Sequence, residues 1–145
     1  KGEFDGHFAN WKNKLTDLCS GDWIFQIDAD EIPNEILVSN LDEILKNNTE
    51  VDVVLVPRVN TVDGLTDEHI QKWGWNVDDK GWVNWPDFQY RLYKKSPTIR
   101  WVNKVHEILD GFRTISHLPD EEDLALYHPK EIKRQEKQNE YYNTL

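Results

Sequence analysis

Between His7 and Cys19 apolar side chains recur at helical spacing (Phe8, Trp11, Leu15, Leu18 and Cys19), with Lys12, Asn13 and Lys14 between them and Ser20-Gly21 as a stop. The spacing predicts an amphipathic helix. A mostly apolar run follows, Trp23 to Ile27, ending in Asp28-Ala29-Asp30-Glu31 and then Pro33. It reads as a buried strand whose carboxyl end delivers acids into a crevice, as ligand sites in open α/β sheets do. Strand alternation places Asp28 and Asp30 on one side, with Ala29 and Glu31 on the other. A short helical turn is expected after Pro33, then a helix capped by Ser39-Asn40-Leu41-Asp42 and running to Lys46. Val51 to Val56 is β-branched enough to form a second buried strand continuing toward Thr61.

From Asp63 to Pro86 no period is sustained, and the stretch carries Trp73, Trp75, Trp82 and Trp85. A loop this long with so many indoles is expected to be ordered and functional. Indole faces are platforms for sugar rings, but they also fill cores. Phe88 to Tyr93 alternates as a strand, with Phe88, Tyr90 and Leu92 facing away from Gln89, Arg91 and Tyr93. Ile99 to Leu109 is expected to be extended, and Asp110-Gly111 a hairpin turn into Phe112 to Ile115. After an acidic loop, Leu124 to Tyr127 is a short strand ending in His128. Pro129 opens a charged helix that runs to about Asn143. Helices and strands interleave within 145 residues, which predicts one α/β domain.

Composition narrows the function. Seventeen basic residues against 27 acidic ones give a net charge of −10, and no basic cluster precedes the C-terminal helix. Nucleic acid is therefore not an expected partner, and a polyanionic ligand would need a metal or a local cationic pocket. The lone Cys19 cannot form an intramolecular disulfide and fits a reducing, cytoplasmic compartment. No apolar run reaches membrane-spanning length, and the Asn47-Asn48-Thr49 sequon reads as chance.

Three places carry candidate chemistry. Asp28 and Asp30 supply hard oxygen donors of the kind that hold Mg²⁺ or Mn²⁺ together with phosphates. In Val105-His106-Glu107, Glu107 is expected on the strand face opposite His106 and Ile108, as either a general base or a strand ion pair. His128, at a strand end, could complete a metal shell, or it could be a capping or core histidine.

These residues together resemble the central block of family-2, GT-A-fold glycosyltransferases. Phe8-Ala9 through Asn13 and Leu15, Gly21-Asp22-Trp23 and Asp28-Ala29-Asp30-Glu31 are followed by Gln89 to Tyr93, Trp101, Lys104-Val105-His106-Glu107 and Tyr127-His128. The order is similar to that of bacterial and phage-type members. The resemblance implies a truncated GT-A-like mixed sheet flanked by helices and a metal-dependent, inverting transferase using a nucleotide-diphosphate sugar, a UDP-sugar in the first instance, and an unidentified acceptor. Asp28, Asp30 and His128 would hold Mn²⁺ or Mg²⁺, and Glu107 would be the catalytic base. Lys12, Asp28, Ala29, Asp30 and Arg91 would meet the donor, and Trp85, Trp101, Lys104 and His106 the acceptor. The setting would be the cytoplasm of a bacterium or a phage-infected host cell.

The chain departs from that family in having only 27 residues before Asp28, so most of the nucleotide-binding half is expected to be absent and activity to be limited to donor binding or hydrolysis. Lys12-Asn13 stands where the family has Arg-Asn. A non-catalytic carbohydrate- or metal-binding module is the alternative. An aspartyl phosphatase ranks last, because Glu31 stands where that family wants a small or apolar residue. A bared strand edge, and strands apolar enough to need cover on both faces, predict a two-fold dimer; the alternative cover is the tryptophan-rich loop.

Overall fold

The computed structural model describes residues 2–144. Its centre is β3 (Val53–Asp63), the β-branched run seen in the sequence. On one side β3 pairs antiparallel with β4 (Asp87–Lys94). Its other edge is shared by two parallel strands, β7 (Ile115–His117) along Val53 to Leu55 and β8 (Leu126–Glu131) from Arg58 onward. The outer strands are β1 (Trp23–Phe25) beside β4 and β2 (Ile32–Pro33) beside β8. Consecutive strands β1 and β2 thus lie on opposite margins of one sheet. The segment between them must cross it, and that crossing carries Asp28 to Glu31.

Both faces of the sheet are covered from within the chain. On one, Val53 and Tyr93 pack with Ala9 of α1 (Phe8–Leu18) and with Trp101 and Leu109 of a separate hairpin, β5 (Arg100–Val102) and β6 (Ile108–Asp110). On the other, Val54, Val56 and Leu92 pack with Leu37 of α2 (Glu35–Ser39) and with Leu41, Ile44 and Leu45 of α3 (Leu41–Asn47). The cover that was expected from a second copy is therefore internal. The outer edge of β1 has no strand partner among the described residues. No helix of the described residues is long and apolar enough to cross a membrane.

Several local expectations give way to tertiary structure. Helix α1 buries Ala9, Lys12 and Thr16, while Leu15 and Leu18 of the apolar stripe stay 44% and 83% exposed. Two carboxylates and an indole draw Lys12 inward, and their ion pairing outweighs the helix periodicity. The irregular middle contains α4 (Asp67–Trp73), with a Thr66–His69 capping box and a left-handed Gly74 at its end. Those start and stop signals were present, but seven residues are too few to show a period. Strand β8 keeps its ladder with β3 to Glu131, so Pro129 sits inside a strand, beyond the part paired with β2. The last helix, α5 (Ile132–Asn143), begins only after it.

The extended run expected from Ile99 to Leu109 is broken by a loop in which Asn103 and His106 take positive φ, so β6 folds back on β5. Asp110-Gly111 consequently joins no paired strands; β7 goes to β3 instead. Gly111 has φ +82°, and a Cβ there would lie 1.8 Å from the Thr98 carbonyl oxygen. Gly111→Ala should lower stability by about 2 kcal/mol, because the left-handed backbone and the displaced carbonyl both resist a side chain. Urea unfolding checks this, and an unchanged midpoint would refute it.

Candidate functional site

The crossing segment is a turn, not the end of a strand. The Glu31 N–H donates to the Asp28 carbonyl at 3.0 Å, and the Asp28 N–H donates back to Glu31 Oε1 at 3.0 Å. Alternation therefore does not apply. Asp28 and Glu31, expected on opposite sides, share one guanidinium, whereas Asp30 points elsewhere and Ala29 sits exposed at the tip.

Glu31 anchors the turn. Its side chain is fully buried and takes Arg91 Nε at 2.8 Å, Arg91 Nη2 at 2.9 Å and Arg58 Nη1 at 2.8 Å. Burial pushes its pKa up, but the Arg91 bonds and charge, the Asp28 N–H and Arg58 outweigh burial and bring it to about 2. Arg91 can reach it because of a β-bulge. Val54 pairs with Leu92 and Leu55 with Tyr90, so Arg91 is the extra residue on β4. The bulge also overturns the predicted faces of this strand, since Tyr90 and Tyr93 share a core while Leu92 belongs to the other.

At one end of the site Lys12 joins two acids, with Nζ 2.8 Å from Glu107 Oε1 and 3.4 Å from Asp28 Oδ1. The same ammonium lies 4.2 Å from the centre of the Trp101 ring. Glu107 is half-buried. Burial raises its pKa, yet the Lys12 hydrogen bond and charge hold it below the usual carboxylate range, so it is ionised at neutral pH. It stands in the loop between β5 and β6, not on the strand expected for it.

At the other end, Arg58 and the Asn60 amide both bind Asp87 Oδ2, at 2.9 and 2.8 Å. A carboxylate only accepts, so the Asn60 NH₂ faces Asp87 and its carbonyl oxygen must face the His128 Nδ1, 2.7 Å away. The ring therefore carries its Nδ1 proton toward Asn60, and Nε2 lies 3.1 Å from Asp30 Oδ2. Because a carboxylate only accepts, Nε2 bonds to it by donating a second proton, and it can take a cation only in place of that proton. The His128 hydrogen bond holds the Asp30 carboxyl far below the usual range, against the opposing pull of burial. Arg134 of α5 stands 3.6 Å from the same oxygen.

Asp30 and His128 fit two corners of a divalent-cation site. Adjacent ligands about 2.1 Å from an octahedral ion stand roughly 3.0 Å apart, close to the observed separation, and phosphates and water ordinarily fill the remaining corners. A second-layer acceptor on the other ring nitrogen is what metal-bound histidines have. Asp28, the third expected ligand, is turned to Lys12 and Arg91 instead. Among the described residues no three His, Cys, Asp or Glu side chains converge as a ligand set.

A cleft runs along this network in two adjoining lobes. Lys12, Asp28, Arg91 and Glu107 border a lobe of about 240 Å³. Asn60, Asp87 and Trp75 border one of about 300 Å³, and Arg58, His106, His128 and Tyr142 line both.

The expected acceptor residues scatter. Trp101 is core, 3% exposed, with its indole N–H given to Gln26 and Tyr93. Lys104 is exposed, and its carbonyl accepts from the Phe8 N–H. His106 borders the cleft beside Tyr142. Trp85 packs on Trp82 at a different surface, facing the acidic loop 120–123. Arg58, Asn60 and Asp87 escaped the sequence reading, and Glu31 entered it only as part of the acidic run, since no local spacing marks residues that meet across strands.

The Asn60 relay makes a direct prediction. Asn60→Leu should weaken Mn²⁺ binding roughly 10- to 100-fold, as loss of a second-layer partner does, while His128→Ala should weaken it further with little change in stability. Manganese EPR titration reads both, and an affinity unchanged in either would return His128 to a structural role.

No family model matches the chain, and no curated protein matches it.

Proposed function

We propose that this domain is a metal-dependent glycosyltransferase of GT-A-like fold that transfers a sugar from a nucleotide-diphosphate sugar to an acceptor hydroxyl. One observation carries the reading: His128, which holds Asp30, and the ionised Glu107 line a single lobe of the cleft, which Asp28 also borders. Bound at Asp30 and His128, Mn²⁺ or Mg²⁺ would act as a Lewis acid toward the diphosphate. Glu107 takes the proton of the acceptor hydroxyl as that oxygen bonds to C1. The C1–O bond to the diphosphate breaks on the opposite face, its electron pair leaving with the nucleotide diphosphate, so configuration inverts. Lys12 keeps Glu107 ionised until then, and Arg91 with Lys12 fixes Asp28 at the floor of the cleft.

A second reading has its own support. Lys12 and Arg91 already neutralise Glu107 and Asp28, which suits a sugar- or metal-binding module that has lost transfer. Calorimetry separates the two lineages from the rest. UDP should bind with Mn²⁺ present and fail to bind without it; equal heats in both conditions, or none in either, would refute the transferase lineage. Turnover of UDP-sugars by the wild type then decides between enzyme and module.

A further inference from the structure

Helix α5 meets the rest of the chain with an unusual face. A helix that lies against its domain normally turns an apolar stripe inward. Here Gln135, Gln138, Asn139 and Tyr142, at three- and four-residue spacing, are the half-buried side chains that border the larger lobe of the cleft, and no α5 residue is fully buried. Across the lobe stand Asn84 and Trp75.

The amides satisfy one another only in part. The Gln135 NH₂ donates to Asn139 Oδ1 at 2.8 Å, and the Gln138 NH₂ donates to the Tyr142 oxygen at 2.8 Å. Asn84 Oδ1 accepts from the Asn76 N–H at 2.9 Å. The Asn84 NH₂, the Asn139 NH₂ and the Gln135 carbonyl have no hydrogen-bond partner among the described residues. The lobe thus offers neutral donors and an acceptor beside two aromatic rings. Sugar hydroxyls donate and accept at once, as carboxamides do, and the C–H face of a pyranose packs on an aromatic ring. An anion finds less here. Arg58 is held between Glu31 and Asp87, Lys130 donates to Gln138, and the chain as a whole carries −10.

We propose that this lobe is a binding site for a neutral carbohydrate. The site is independent of any metal; only its role rests on the transferase reading, in which it holds the acceptor with a hydroxyl directed along His106 and Tyr142 toward Glu107. The acceptor is then itself a sugar.

Nitrogen–proton correlation NMR of the whole chain tests this, with maltose, lactose, cellobiose and N,N′-diacetylchitobiose added separately at millimolar concentration. At least one should shift the side-chain amides of Asn84, Gln135 and Asn139 and the Trp75 indole, without Mn²⁺. Trp75→Ala and Asn139→Leu should each weaken that binding roughly tenfold, the effect of one lost stacking or hydrogen-bonding group. Both changes are at partly exposed positions, and unchanged signals elsewhere will show that the fold is kept. No shift at these residues with any of the four sugars, or shifts confined to the Asp28–Glu107 lobe, overturns the proposal. Mn²⁺-dependent UDP shifts at Asp30 and His128 are scored separately. Sugar binding without UDP binding upholds the site and removes the transferase, and the reverse removes the site and leaves the transferase.

Discussion

Glu31→Ala is expected to cost the fold about 3–5 kcal/mol, because it strands a buried cation. Arg91 is 3% exposed and directs Nε and Nη2 at Glu31; of its other bonds, one reaches its neighbour's carbonyl and one the more exposed Asp28. Removing the acid also takes one of the two carboxylates from Arg58, which keeps Asp87, and leaves the crossing turn without its anchor. Glu31→Gln keeps the shape, loses the charge and should be nearly as harmful. Urea unfolding at neutral pH reads both, and a loss under about 1 kcal/mol in each would mean that the turn is held by something else.

The same acid sets a pH dependence. Its folded pKa of about 2 lies below the ordinary 4.5, so its stabilisation is complete above pH 4.5 and is lost as pH falls through 2. A gap of that size corresponds to about 3 kcal/mol. Asp30 and Glu107, whose pKa values are also lowered, act in the same direction. Unfolding midpoints should fall between pH 4.5 and 2 in the wild type and fall less steeply in Glu31→Gln.

What the sequence showed and what it hid follow from the range of the forces involved. The β-branched Val51 to Val56 run and the Phe88 to Tyr93 alternation declare β3 and β4, since burial of neighbouring side chains is a local pattern. Asp28 and His128 do line one lobe of the cleft, since a short motif marks its own position even where, as here, the acids lie in a turn and not at a strand end. Lys12 is the opposite case. It interrupts an apolar helix face, and nothing within α1 announces that Asp28, Glu107 and Trp101 wait for it. Glu31 was assigned a direction by strand alternation, yet its partners lie 27 and 60 residues away, and their three hydrogen bonds decide its orientation. The bulge at Arg91 is likewise a product of register between strands.

Asp30→Ala should abolish Mn²⁺-dependent binding of UDP while the chain remains folded. Asp30 lies on the turn, its carboxylate a quarter exposed, and its partners survive its removal differently from those of Glu31. His128 keeps its bond to Asn60, and Arg134 is already largely in solvent, so no buried charge is stranded. Affinity for Mn²⁺ is expected to fall by at least about 100-fold, and that for UDP in its presence to fall with it, because one of two protein donors is gone. Asp30→Asn should reproduce most of the loss, since an amide oxygen is a poorer ligand than a carboxylate. Glu107→Gln supplies the contrast. It should leave Mn²⁺ and UDP binding intact and reduce transfer, where transfer occurs, by about 10²- to 10⁴-fold, the contribution of a positioned base. Calorimetry on the three variants, paired with release of UDP from a UDP-sugar, assigns the two ends of the cleft separately. If Asp30→Ala binds UDP as the wild type does with Mn²⁺ present, the metal end is misassigned. If Glu107→Gln turns over at the wild-type rate, the base lies elsewhere, and the Lys12–Glu107 pair is a structural tie between α1 and the β5–β6 hairpin.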